Sequence, residues 1–104
     1  MSQRIKICRV DQLPPGKAVD KRILARRIAV FNDGGSLYGI EADCKHMKAS
    51  LATGQVSNGT VTCNWHHWKY DLKTGECIGR PGMKLRTYPV EIAMRGLPRL
   101  RLVR

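Results

Sequence analysis

Residues 44–66 read CKHMKASLATGQVSNGTVTCNWH, and both fold and chemistry turn on this stretch. Two short clusters bracket it, Cys44-Lys45-His46 and Cys63-Asn64-Trp65-His66, in the spacing C-x-H-x16-C-x2-H. Each cluster offers one thiolate and one imidazole within the length of a single loop. Between them Asn58-Gly59 is a tight-turn pair that can fold one cluster back toward the other. Zinc sites made of two cysteines and two histidines usually group like with like, the cysteines in one pair and the histidines in another. Here each loop carries one ligand of each kind. Either cluster alone would be a weak signal; the two together are a strong one.

Outward from this stretch, period-2 alternation and turn residues dominate, and no segment keeps a 3.6-residue period. Arg4 to Val10 reads as a first strand, followed by the Pro-stiffened loop Asp11 to Gly16. Arg27 to Phe31 and Leu37 to Ile40 read as a hairpin joined by Asn32-Asp33-Gly34-Gly35. Thr60 to Cys63, His67 to Leu72 and Glu76 to Ile78 are short strands, the last two separated by the turn Lys73-Thr74-Gly75. Arg86 to Met94 and Arg99 to Val103 close the chain, with Leu100 and Leu102 directed inward and Arg99 and Arg101 toward solvent. Seven or eight such strands predict an all-β, antiparallel sandwich or small barrel. Cys44 to Thr53 lacks strand alternation and suits a chemistry-bearing loop on a rigid scaffold.

The 104 residues are expected to form a single domain, 1–104, with no internal repeat or linker. No apolar run reaches the roughly 18 residues of a membrane-spanning helix. The first residues lack the apolar core and cleavage site of a secretion signal. Arg26-Arg27 is a twin basic pair, but it lies inside the chain and precedes only the strand-length run Ile28 to Phe31. A cytoplasmic protein is expected, in which cysteines serve as metal ligands or buried thiols more often than as disulfides. Cys8 and Cys77 fit the buried-thiol reading. The net charge of +11 favours anionic partners without choosing among nucleic acid, an acidic membrane face and an acidic protein.

A [2Fe–2S] centre of the Rieske type needs two cysteines on one iron and two histidines on the other. Two loops, each presenting Cys then His, place both sulfurs at one end and both imidazoles at the other. Two alternatives stand beside this one: a zinc site on the same residues, and a register in which His67 replaces His66. The wider pattern resembles the Rieske-type ferredoxins, a family that includes electron carriers of aromatic-ring dioxygenases and small subunits of nitrite-reductase-like enzymes. The likeness rests on Asp33 to Ile40 before the first loop and on Cys63 to Tyr70-Asp71 and Thr74-Gly75 in and after the second. It extends to the Pro-containing loop Gly79-Arg80-Pro81-Gly82 and to Tyr88-Pro89-Val90.

The resemblance implies an antiparallel β-sandwich with a cluster-binding subdomain made of two ligand loops and a Pro loop. It also implies one [2Fe–2S] cluster held by Cys44, His46, Cys63 and His66, with Trp65, Tyr70 and Pro81 around it. His67 stands where the family's second loop has Gly, so its backbone must manage without that freedom. Ala49 and Trp65 occupy the positions of a loop-linking disulfide in high-potential members, and Trp68 that of a Ser donating to a bridging sulfide. Tyr70 matches the Tyr that donates to a cysteine sulfur. The implied role is one-electron transfer from a reductase to an oxygenase or other redox enzyme, with a potential at the low end of the family's range and sensitive to pH. Three histidines leave one beyond the cluster, too few for the 2-His-1-carboxylate iron site of an oxygenase; no catalysis is expected from the chain alone. A small subunit of a nitrite-reductase-like complex is the alternative, and a basic zinc-binding nucleic-acid module the more distant one. From Cys44 to Arg86 seven basic residues (Lys45, Lys48, Lys69, Lys73, Arg80, Lys84, Arg86) face Asp71 and Glu76, a balance of +5. This predicts an acidic protein partner near the cluster. No recognised nucleic-acid motif accompanies the charge.

Overall fold

A computed structural model of the chain describes residues 4–23, 26–43, 50–64, 67–93 and 98–103. Its architecture follows from one strand. β3 (Arg26–Asp33) buries Ile28, Ala29, Val30 and Phe31 in succession, which a strand does only when both faces are covered. Ala29 and Phe31 enter one core with Ile40, Leu51, Val61 and Tyr70; Ile28 and Val30 enter another with Ile7, Leu13, Leu100 and Leu102. The sheet containing β3 is therefore the middle of three layers.

That middle sheet runs β2 (Ala18–Ile23), β3, β4 (Ser36–Glu41), β8 (Thr87–Tyr88), all antiparallel. On one face lies β1 (Arg4–Arg9), β10 (Arg99–Val103), β9 (Val90–Ala93). On the other lies β5 (Gln55–Ser57), β6 (Thr60–Thr62), β7 (Lys69–Asp71). Short 3₁₀ turns at Val10–Gln12 and Leu51–Thr53 complete the regular structure. Among the described residues, no helix is long and apolar enough to cross a membrane.

The expected antiparallel all-β class holds, with more and shorter strands than the pattern suggested. The β3–β4 hairpin turns on Gly34-Gly35 alone, because Asn32 and Asp33 remain paired with Leu37 and Ser36. Arg86 to Met94 is not one strand. Pro89 has no N–H to give a ladder, and the chain changes sheets there, from β8 to β9; Met94 lies outside the described residues. His67 to Leu72 shrinks to Lys69–Asp71, and Glu76 to Ile78 contributes only the isolated bridges Tyr70–Cys77 and Glu76–Lys84. Leu100 and Leu102 are fully buried as expected. Arg101, expected in solvent, is half-buried opposite Glu91, its Nε 3.8 Å from Glu91 Oε1. Cys8 belongs to the β1–β10 core, where burial pushes its thiol pKa up, and carries no disulfide.

Candidate metal centre

Cys44, His46, Trp65 and His66 lie outside the described residues, as do Lys45 and Lys48. The frame that holds their loops is described. The first loop leaves the scaffold at Asp43 and rejoins it at Ser50, and these two residues form an antiparallel bridge. One step further in, the Leu51 N–H donates to the Ala42 carbonyl at 2.6 Å. Ser50 Oγ accepts from the Ala52 N–H at 3.2 Å, capping the 3₁₀ turn, and donates to Asp20 Oδ2 at 2.6 Å. Arg27 on β3 donates to Asp43 Oδ1, and this bond raises the guanidinium pKa further. Leu51, fully buried, anchors the exit in the core.

The second loop starts at Cys63, directly after β6, with the residue 1% exposed. The Cys63 N–H donates to the Trp68 carbonyl at 2.8 Å, and the Cys63 carbonyl accepts from the His67 N–H at 3.1 Å. Cys63 is thus bonded to both His67 and Trp68. The reversal occurs at His67, whose φ of 59° is left-handed and costs a non-glycine residue roughly 1–2 kcal/mol. The His67 side chain is exposed. Asn64 Nδ2 donates to the Thr53 carbonyl, so the residue after Cys63 is bonded to the turn that ends the first loop. The roots of the two loops are neighbours, as the mixed spacing requires.

Beyond β7 a third loop packs beside the second. Asp71 Oδ1 accepts from the N–H groups of Lys73 and Thr74 at 2.8 and 3.0 Å, fixing the turn that follows β7. The Cys77 N–H donates to Met83, the Met83 N–H to Arg80, and the Arg80 N–H to Cys77, which folds residues 77–83 into a compact loop with Pro81 at its exposed surface. The Arg80 guanidinium lies 3.9 Å from the centre of the Trp68 ring, a cation–π contact between this Pro-containing loop and the end of the second ligand loop. Tyr70 is wholly buried, opposite Val61 and bridged to Cys77. Around the loops Lys69, Lys73, Arg80, Lys84 and Arg86 are exposed. Ile78, 52% exposed, is an apolar point among them.

Of the residues singled out from sequence, Cys63, Tyr70 and Pro81 thus fall on or beside the second loop. The Arg27–Asp43 pair with Asp20 and Ser50 escaped sequence reasoning; its available signal was an acid immediately before Cys44 and an unexplained basic pair on β3. A set of two thiolates and two imidazoles on loops with adjacent roots, one thiol already buried, fits a [2Fe–2S] cluster.

Comparison with known proteins bears on the same frame. A Rieske [2Fe-2S] domain model matches residues 3–89. The 3-phenylpropionate/cinnamic acid dioxygenase ferredoxin subunit of Escherichia coli (strain K12) is 39% identical over 92 residues, covering 86% of this chain and 85% of its own. The biphenyl dioxygenase ferredoxin subunit of Pseudomonas sp. (strain KKS102) is 34% identical over 89 residues, 84% and 82% of the two chains. A solved structure described as an NADH-dependent nitrite reductase small subunit from Mycobacterium tuberculosis superposes with a TM-score of 0.88 at 22% identity, over 100% of this chain and 96% of the other; that likeness is one of fold.

Proposed function

Since the chain belongs to the Rieske [2Fe–2S] family, we propose that it is a one-electron carrier that takes electrons from a reductase and delivers them to an oxygenase or similar redox enzyme. Cys44 and Cys63 bind one iron and His46 and His66 the other, and residues 1–104 act as a single domain in the cytoplasm. The bound cluster supplies reversible one-electron chemistry. Everything else is the work of the chain.

The observation that carries the ligand assignment is the Asn64–Thr53 hydrogen bond, which joins the roots of two loops that each contain Cys and His. Burial of Cys63 keeps water from its sulfur, and a Tyr70 hydroxyl donating to a cysteine sulfur, as the family resemblance implies, would favour the reduced state. The loop that carries Pro81 would cover the cluster, the role the family resemblance also gives to Trp65. Substrate chemistry belongs to a partner, because the one histidine left beyond the cluster is too few for a 2-His-1-carboxylate iron site. The curated relatives named above are ferredoxin subunits of dioxygenases, which favours an oxygenase as acceptor. A tightly held small subunit of a nitrite-reductase-like complex is the second reading, supported by the fold likeness; gel filtration of the native complex separates the two.

The acceptor surface is acidic in this account, meeting Ile78 at an apolar centre and Lys69, Arg80 and Lys84 around it. Stopped-flow electron transfer to the acceptor tests this. Association should slow as salt rises, because the Debye length falls from about 10 Å at 0.1 M to about 3 Å at 1 M. Lys69→Glu or Lys84→Glu should slow it further, and Arg101→Glu, on the opposite outer sheet, much less. Rates insensitive to salt and to these reversals, together with tight retention of nucleic acid, would replace the acidic protein with a nucleic acid.

A further inference from the structure

The pair Arg26-Arg27 has no part in carrying electrons as described so far, yet its two members have different surroundings. Arg26 is exposed and reaches outward to the Tyr88 hydroxyl at 3.3 Å. Arg27 is half-buried and turns toward the first ligand loop, where it holds Asp43. We propose that Arg27 is a positioning residue for the cluster: with Asp43, Asp20 and Ser50 it clamps both ends of the loop that carries Cys44 and His46. The proposal rests on the reading that this loop binds the cluster.

Four side chains from separate parts of the chain converge at the loop's root. The β3–β4 register sets Ile28 opposite Glu41, and the Ala42 N–H donates to the Arg27 carbonyl at 2.9 Å, so Asp43 emerges beside the Arg27 side chain. Asp43 is the last scaffold residue before Cys44. At the exit, Ser50 donates to Asp20 of β2 at 2.6 Å, and the Asp20 carboxylate also acts electrostatically on Arg27. Asp43 thus holds the entrance through its bond to Arg27, and Asp20 holds the exit through Ser50. Without the guanidinium Asp43 would lose the cation bonded to it, and its carboxylate and that of Asp20 would repel each other at the loop's root. The Asp43–Ser50 bridge would have to persist against that repulsion and would weaken.

The test uses purified, cluster-loaded protein. Loss of visible absorbance to an iron chelator is timed, and the EPR spectrum of the reduced state recorded, for wild type, Arg26→Gln, Arg27→Gln, Arg27→Lys and Arg27→Gln/Asp43→Asn. A half-exposed pair lies between surface and buried ion pairs in strength, so Arg27→Gln should release its cluster about 3- to 10-fold faster than wild type, with altered g-anisotropy. Arg26→Gln should match wild type. Arg27→Lys, which keeps the charge, and the double variant, which removes the uncompensated carboxylate, should each recover part of the loss. Release from Arg27→Gln at the wild-type rate overturns the clamp and leaves the cluster reading intact. Equal loss in all three Arg27 variants overturns it too, since Arg27 would then act by packing alone. Wild-type protein without labile sulfide overturns the cluster reading itself, and the clamp with it.

Discussion

The two outer sheets of this molecule flank the same middle layer but are held to it by different means. The β1–β10–β9 sheet has strands of 6, 5 and 4 residues and sends Ile7, Leu100 and Leu102 into a core with Ile28 and Val30. The β5–β6–β7 sheet has strands of 3 residues each, shorter than the 5 or 6 of an ordinary strand. Ladders so short cannot fix their own geometry. Local devices do it instead: the Asn58-Gly59 turn, the Asp71 side chain bonded to two backbone N–H groups, the close approach at Gly75, and the reversal at His67. The side of the molecule that carries the ligand loops is shaped by turns, and the far side by alternating burial. A cluster needs loops of one fixed shape, and turns are how a short chain provides them.

Two glycines break or sharpen this contrast with the largest expected effect. Gly75 (φ 82°) and Gly34 (φ 59°) are both left-handed. A Cβ on Gly34 meets nothing within 4 Å, whereas one on Gly75 would sit 2.1 Å from the Leu85 carbonyl oxygen, whose own N–H donates to Gly75. Gly34→Ala should therefore cost about 1 kcal/mol, the backbone penalty alone. Gly75→Ala adds overpacking and should cost about 2–5 kcal/mol, with loss of cluster retention. Thermal melts followed at the cluster absorbance and in the far ultraviolet measure both. Equal effects would mean that the Gly75 turn is no more tightly constrained than the open hairpin of the middle sheet.

A pair of tyrosines gives a smaller effect. Tyr70 is buried beside the second ligand loop, and Tyr88, in the other core, accepts from Arg26. Tyr70→Phe should lower the midpoint potential within the roughly −150 to +300 mV spanned by His-ligated [2Fe–2S] centres. It should also destabilise the protein by about 1–2 kcal/mol through the partner left unsatisfied. Tyr88→Phe should leave the potential where it was. An unchanged potential in Tyr70→Phe, read by protein-film voltammetry, would direct its hydroxyl away from the cluster sulfurs.

The same division explains what the sequence discloses. β1 and β10 are legible because period-2 burial is written in residues such as Leu100 and Leu102, β3 because its apolar run is strand-length, and β4 because the turn Asn32 to Gly35 precedes it. β2 is not, because its Asp20-Lys21-Arg22 run is exposed and nothing alternates. The break at Pro89 reads as a strand interior until one asks where its missing N–H would have gone. On the side of the loops, spacing and family likeness single out Cys63 and Tyr70, which the fold buries at and beside the root of the second loop, and a histidine standing where the resembled family has glycine points to the left-handed turn at His67. The Arg27–Asp43–Asp20–Ser50 network leaves only a faint signal in sequence, the basic pair Arg26-Arg27 and an acid before Cys44. It joins residues 16 and 30 positions apart, and it needs both β2 and the β3–β4 register before its members can meet.

The central claim, that Cys44, His46, Cys63 and His66 hold one [2Fe–2S] cluster, is tested most directly by metal and sulfide analysis of the purified protein with EPR of its reduced form. Two irons and two acid-labile sulfides per chain, with the low-average-g spectrum of a His-ligated centre, are the predicted result. One zinc per chain with no labile sulfide would contradict it.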